Sequence, residues 1–176
     1  MQRDDAGDPC RPAWNAIGSR DFRAWAGLPE GCGYAALDAV FPRVAEAYGE
    51  GTLGERYQPA TYRMHAVEGP PYGARVWFRG DRVVLVELEY PGLPHPSREL
   101  LQSLGEPQAR LDAYVDVMPV PGGAWVYAAR GITLFLDSGH TEVMRVALYH
   151  PCTPEEYADG LHPRTERWEL PLSEAD

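Results

Sequence analysis

The chain contains no lysine, and all 16 of its cationic side chains are arginine. That excludes lysine Schiff-base chemistry and a P-loop lysine. No apolar run approaches the length of a transmembrane helix. A cationic surplus is missing too, because the net charge is −10 at neutral pH. Phosphate recognition needs clustered cations, so neither nucleic acid nor a membrane surface is an expected partner. Cysteine is scarce: Cys10, Cys32 and Cys152 form an odd count with no paired spacing. That pattern argues against a disulfide framework and points to a reducing compartment. The stretch Met1 to Pro12 has no apolar segment of the signal-peptide kind, so a cytoplasmic protein is expected.

What is present is an ordinary globular balance. With 176 residues, 44% apolar and 24% charged, the chain can bury one sizeable core or two small fused ones. Its 18 glycines and 17 prolines favour many turns over long helices.

The second half repeats the pattern of the first. Val83-x-x-Val86-x-Leu88-x-x-Pro91 recurs sixty residues later as Val143-x-x-Val146-x-Leu148-x-x-Pro151. A strand-like run precedes each copy, Arg75 to Arg79 and Ile132 to Leu136, and a helix-like run further upstream stops at Gly49-Glu50 or Gly105-Glu106. Gly27-Leu28-Pro29 and Gly92-Leu93-Pro94 open the two halves. The expected fold is therefore α+β, two tandem units, each a short helix packed on an antiparallel sheet of three to four strands. The boundaries are 1–26 for a partly docked lead, 27–91 and 92–154 for the units, and 155–176 for a C-terminal helix and extended tail.

Within the first unit, Tyr34, Leu37, Val40, Phe41 and Val44 recur at helical spacing, with Pro42 kinking the run. A strand is expected over 56–67, and a hairpin over 74–79 and 82–90 turns at Gly80-Asp81. In the second unit Ser97 is the expected N-cap of a short helix carrying Leu100, Leu101 and Leu104. Strands are expected at 110–118, 124–128, 131–137 and 142–149, then a helix from Pro154 to Ala158 and an extended piece from Trp168 to Leu172.

Strict alternation along a strand places Val84, Val86 and Leu88, with Met144, Val146 and Leu148, on the helix-packed side. The opposite side then carries Val83, Leu85, Glu87 and Glu89, matched by Val143, Arg145, Ala147 and Tyr149. That mixed face is the candidate binding surface. Trp77 and Trp125, on neighbouring strands, are its expected aromatic anchors, because Trp, Tyr and Arg dominate binding hot spots.

Catalytic motifs are not evident. Glu87 and Glu89 lie about 7 Å apart along their strand, close enough to share a proton, yet such pairs usually form a charged, solvated face. His140, His150, Cys152 and His162 lack the tight ligand spacing of zinc sites, so no metal or other cofactor is expected. If the chain were an enzyme, His65, Glu87 and His150 would supply its polar groups.

The order Ser97 to Gly105, Glu106-Pro107, Trp125-x-Tyr127, Ile132-x-Leu134-x-Leu136, then Val143-x-x-Val146 resembles two known modules. One is the small helix-plus-hairpin unit of SmpA-type outer-membrane assembly lipoproteins. The other is the tandem unit of the β-lactamase inhibitory proteins, whose joined sheets grip another protein on a concave face. Toxin-neutralising immunity proteins are similar in outline. The resemblance covers residues 97 to 150 and, more loosely, 28 to 91. It lacks the lipoprotein cysteine box, and it lacks the paired cysteines of the secreted inhibitors.

The expected function is therefore non-catalytic protein binding, of the inhibitor or immunity type, through an acidic and aromatic sheet face. A basic partner protein would suit the charge. The alternative is a small-molecule-binding protein or biosynthetic enzyme with a pocket between its two sheets.

Overall fold

The computed structural model describes residues 8–33, 47–52, 61–68, 73–115 and 118–163. Among these residues three α-helices, α1 (Arg11–Ser19), α2 (Ser97–Leu104) and α3 (Pro154–Gly160), accompany eight strands. The strands are β1 (Ala47–Thr52), β2 (Thr61–Glu68), β3 (Gly73–Arg79), β4 (Arg82–Glu89), β5 (Ala109–Val115), β6 (Met118–Tyr127), β7 (Ile132–Leu136) and β8 (Val143–Tyr149). All eight belong to one antiparallel sheet, in the order β1-β2-β3-β4-β8-β7-β6-β5.

The sheet is two four-stranded meanders joined by their last strands. Their registers correspond rung by rung. Val76 faces Val86 and Phe78 faces Val83 in one meander, as Leu134 faces Val146 and Leu136 faces Val143 in the other. His65 faces Val76 as Trp125 faces Leu134, and Tyr48 faces His65 as Arg110 faces Trp125. At the join, Val86 faces Leu148, Leu88 faces Val146 and Glu87 faces Ala147. Glu87 and Ala147 stand sixty residues apart, the offset of the sequence repeat, so the rung they share is the centre of the join.

Matching bulges correct the assignment of faces. The register shifts between Trp77 and Phe78, leaving Val84 as an extra residue on β4. It shifts again between Phe135 and Leu136, leaving Met144 extra on β8. An extra residue reverses the alternation behind it. Val83, Val86 and Leu88 therefore share the helix side with Val143, Val146 and Leu148, while Val84 and Met144 pack toward the other side. The three-residue step in Val-x-x-Val-x-Leu is the trace of this bulge.

The helix side holds the larger core. Ala13, Trp14 and Ile17 of α1, Phe22, Trp25 and Leu28 of the following segment, and Leu100 and Leu104 of α2 cover Val76, Phe78, Val86, Leu134 and Val146. Each fully buried aliphatic or aromatic side chain contributes about 1.5–3 kcal/mol of transfer free energy. The expected lead thus contains a helix and packs on the sheet through Trp14 and Trp25. Trp25 Nε1 donates to the Gly131 carbonyl at 3.0 Å, and Leu28 N donates to the Tyr149 carbonyl at 3.0 Å.

Four further expectations change. Cys10 and Cys32 form a disulfide, both buried beside α1. Disulfides persist in oxidising compartments, so the argument for a reducing one, and with it the case for the cytoplasm, loses its basis. The Gly49-Glu50 segment lies inside β1 and does not end a helix. Ser97 begins α2 but does not cap it: its hydroxyl donates to Glu142 Oε2 at 2.9 Å and accepts from Val143 N at 3.0 Å, tying α2 to the start of β8. Among the described residues the strands of both expected units lie in one sheet, not in two. The helix expected over 34–44 and the extended piece at 168–172 lie outside the described residues. Among the described residues, no helix is long and apolar enough to cross a membrane.

Candidate binding face

The side of the sheet away from α1 and α2 carries charge at its centre. Hairpin register puts Arg75 opposite Glu87, and the join puts Glu89 opposite Arg145. Arg75 bonds Glu89 Oε1 through Nη2, and its Nη1 lies 4.0 Å from Glu87 Oε2. Trp77 Nε1 donates to the same Glu87 oxygen at 3.2 Å. Glu87 is only 4% exposed, so the indole and the guanidinium stand in for the water it has lost. Glu89 and Arg75 are more open, with side chains 38% and 42% exposed.

Arg145 lies over the Phe135 ring, its guanidinium carbon 4.0 Å from the centroid. Its Nε is enclosed and has no acceptor. Beside it the surface is closed by α3. A capping box starts this helix: Thr153 Oγ1 accepts from Glu156 N while Glu156 Oε2 accepts from Thr153 N. Tyr157 of α3 stacks on Tyr149 with centroids 4.8 Å apart, and both residues are fully buried. The Tyr149 and Thr133 hydroxyls bond at 2.8 Å. Burial drives both phenols well above the ordinary tyrosine range.

His162 follows α3 and holds its far end. Its ring is parallel to Phe135, with Nε2 2.9 Å from the Asp112 carbonyl and Nδ1 3.4 Å from the Tyr157 hydroxyl. Burial first, and the Arg145 charge second among the lowering effects, hold its pKa below the ordinary histidine value.

The structure therefore brings together Glu87, Glu89, Arg145, Tyr149 and Trp77 on one side, although Trp77 and Tyr149 are buried there and are not open anchors. Trp125 lies on the other side, next to the α1–α2 core, with Arg110 4.5 Å above its ring and His140 at its edge. The expected single face is thus divided. Of the alternative catalytic set, Glu87 is held by Trp77 and Arg75. His150 turns to the Leu28 carbonyl at 2.9 Å and to Glu30 at 3.6 Å, and the side chain of His65 lies outside the described residues. His140 and His162 are likewise engaged separately, on the Pro121 and Asp112 carbonyls.

Arg75, Thr133 and Tyr157 belong to this face and were not singled out by sequence reasoning, and His162 was weighed there only as a metal ligand. Hairpin register was the available signal for Arg75, and a lone aromatic in a short acidic helix was the signal for Tyr157. Nothing in the sequence ties His162 to β5. No family model, curated protein or solved structure matches the chain.

Proposed function

We propose that the chain is a non-catalytic protein-binding module made of two tandem helix-plus-sheet units, of the inhibitor or immunity type. The rung-by-rung equivalence of the two meanders supports the tandem reading, and their edge-to-edge join gives the continuous broad sheet that such binders use. The observation that carries the binding reading is the row Arg75–Glu87–Glu89. Its charges are held in place before any partner arrives, so little side-chain freedom remains to be lost on docking. Glu89 is the open acidic member, and with a chain charge of −10 it favours a basic partner protein.

The test is affinity capture from the native host with wild type and Glu89→Arg, followed by binding kinetics with the purified partner. A basic protein captured at one-to-one stoichiometry, binding wild type at least about tenfold faster than the variant at low salt, supports the reading. Equal association rates for both proteins, or no stoichiometric partner, would refute it.

A further inference from the structure

We propose that α3 and His162 form a pH-released strap over the sheet face, closed at neutral pH and opening on acidification. The proposal rests on the reading of this face as the binding surface, and it supplies that surface with a control. The strap buries Tyr149, which shares the face with Glu87, Glu89 and Arg145.

Its attachment is light. α3 spans only Pro154–Gly160, and it meets the sheet mainly through Tyr157, with Cys152 and Leu161 flanking. A helix this short has little stability of its own, so its docking contacts decide whether it stays. The distal contact is His162, wedged flat on Phe135 and bonded to an edge-strand carbonyl.

Among the described residues, three charged or titratable groups face that imidazole: Arg145 from β8, Asp112 from β5 and Tyr157 from α3. In the neutral ring Nε2–H donates to the Asp112 carbonyl and Nδ1 accepts the Tyr157 hydroxyl proton, so both nitrogens are satisfied. Adding a proton turns the Nδ1 acceptor into a donor facing the Tyr157 hydroxyl and places a cation in a half-buried site, beside the Arg145 guanidinium that shares the Phe135 ring. The released strap would hydrate that cation. The open form therefore binds the proton more tightly than the closed one, and closure strengthens as pH rises. The window opens below about pH 6.5, where free histidine takes up its proton.

The experiment uses the full chain with its disulfide and no partner, so its outcome is independent of the capture assay. Amide exchange at Tyr157 and Leu161, corrected for intrinsic rate, is compared with exchange in α2 between pH 7.5 and 5. His162→Gln keeps a donor for the Asp112 carbonyl and removes the titration. Expected is a several-fold rise in opening of α3 alone in wild type, flat across pH in the variant. A flat wild-type profile, a rise shared by α2, or the same rise in His162→Gln would overturn the proposal. Should the variant not fold, labelling of Cys152 by a dithiodipyridine serves in wild type. This thiol, pushed up to about 11 by burial, adjoins α3; its rate divided by that of a free cysteine peptide at the same pH should be higher at pH 5.5 than at 7.5, and an equal or lower ratio would overturn the strap.

Discussion

Gly131 shows how closely single residues are constrained. Its φ is 63°, in the left-handed region, and a Cβ there would run into the Tyr149 carbonyl. That carbonyl takes the Leu28 amide, and the Gly131 carbonyl takes both the Trp25 indole and the Tyr149 amide. Gly131→Ala should therefore cost about 2–4 kcal/mol, read as a lowered denaturant midpoint with little change in slope. The Cys10–Cys32 bond acts on the same part of the molecule, closing a loop with a sequence separation of 22. Reduction should remove about 3 kcal/mol of stability, and thiol counting on the folded protein should find Cys152 alone. Three reactive thiols in the folded chain would contradict this. Neither constraint was legible beforehand. Cysteine spacing does not reveal which sulfurs meet, and a lone glycine before an apolar run reads as any turn.

Elements were easier to foresee than their contacts. The β3–β4 hairpin, α2, β7, β8 and α3 follow from local pattern, because hydrophobic period and turn residues act over a few positions. Helix α1 and strand β1 were missed. Arg11–Ser19 carries a proline in its first turn and is too short to show a clear stripe, and the glycines of Ala47–Thr52 resemble a helix stop. The capping box of α3 allows a direct check. Thr153→Ala should cost about 1 kcal/mol, felt first as faster amide exchange at Tyr157 and Leu161, with α2 unchanged. Slowed or unaltered exchange there would mean that Thr153 does not hold the strap.

On the scale of the whole molecule, several titrating groups act in one direction. Hydrogen bonding from Arg23 lowers Asp21 from 3.8 to about 2, and the Glu142 and Thr141 amides lower Asp137. Depressed carboxylates stabilise above their ordinary range, and that contribution fades as pH falls toward 2. His162, also depressed, stabilises at neutral pH and loses its contribution as pH falls below about 6.5. The urea midpoint should thus be highest from pH 7 upward, decline below 6.5, and decline again below 4. The second fall should be smaller, since both carboxylates lie near solvent. A midpoint that rises on going from pH 7 to 5 would show that these histidine and carboxylate contributions are outweighed.

By itself the sequence determined the antiparallel hairpins, the recurrence of Val-x-x-Val-x-Leu and the acidic character, because each arises from neighbouring residues or from simple totals. It also carried the bulges, in the odd step of Val-x-x-Val-x-Leu, although strict alternation misassigns them. Only the tertiary structure decided that the meanders join at Glu87 and Ala147, that Trp125 lies across the sheet from Trp77, and that Tyr157 closes over Tyr149. Those outcomes depend on which strand edges meet and on how a late segment folds back, and such long-range pairings leave no local periodicity to read.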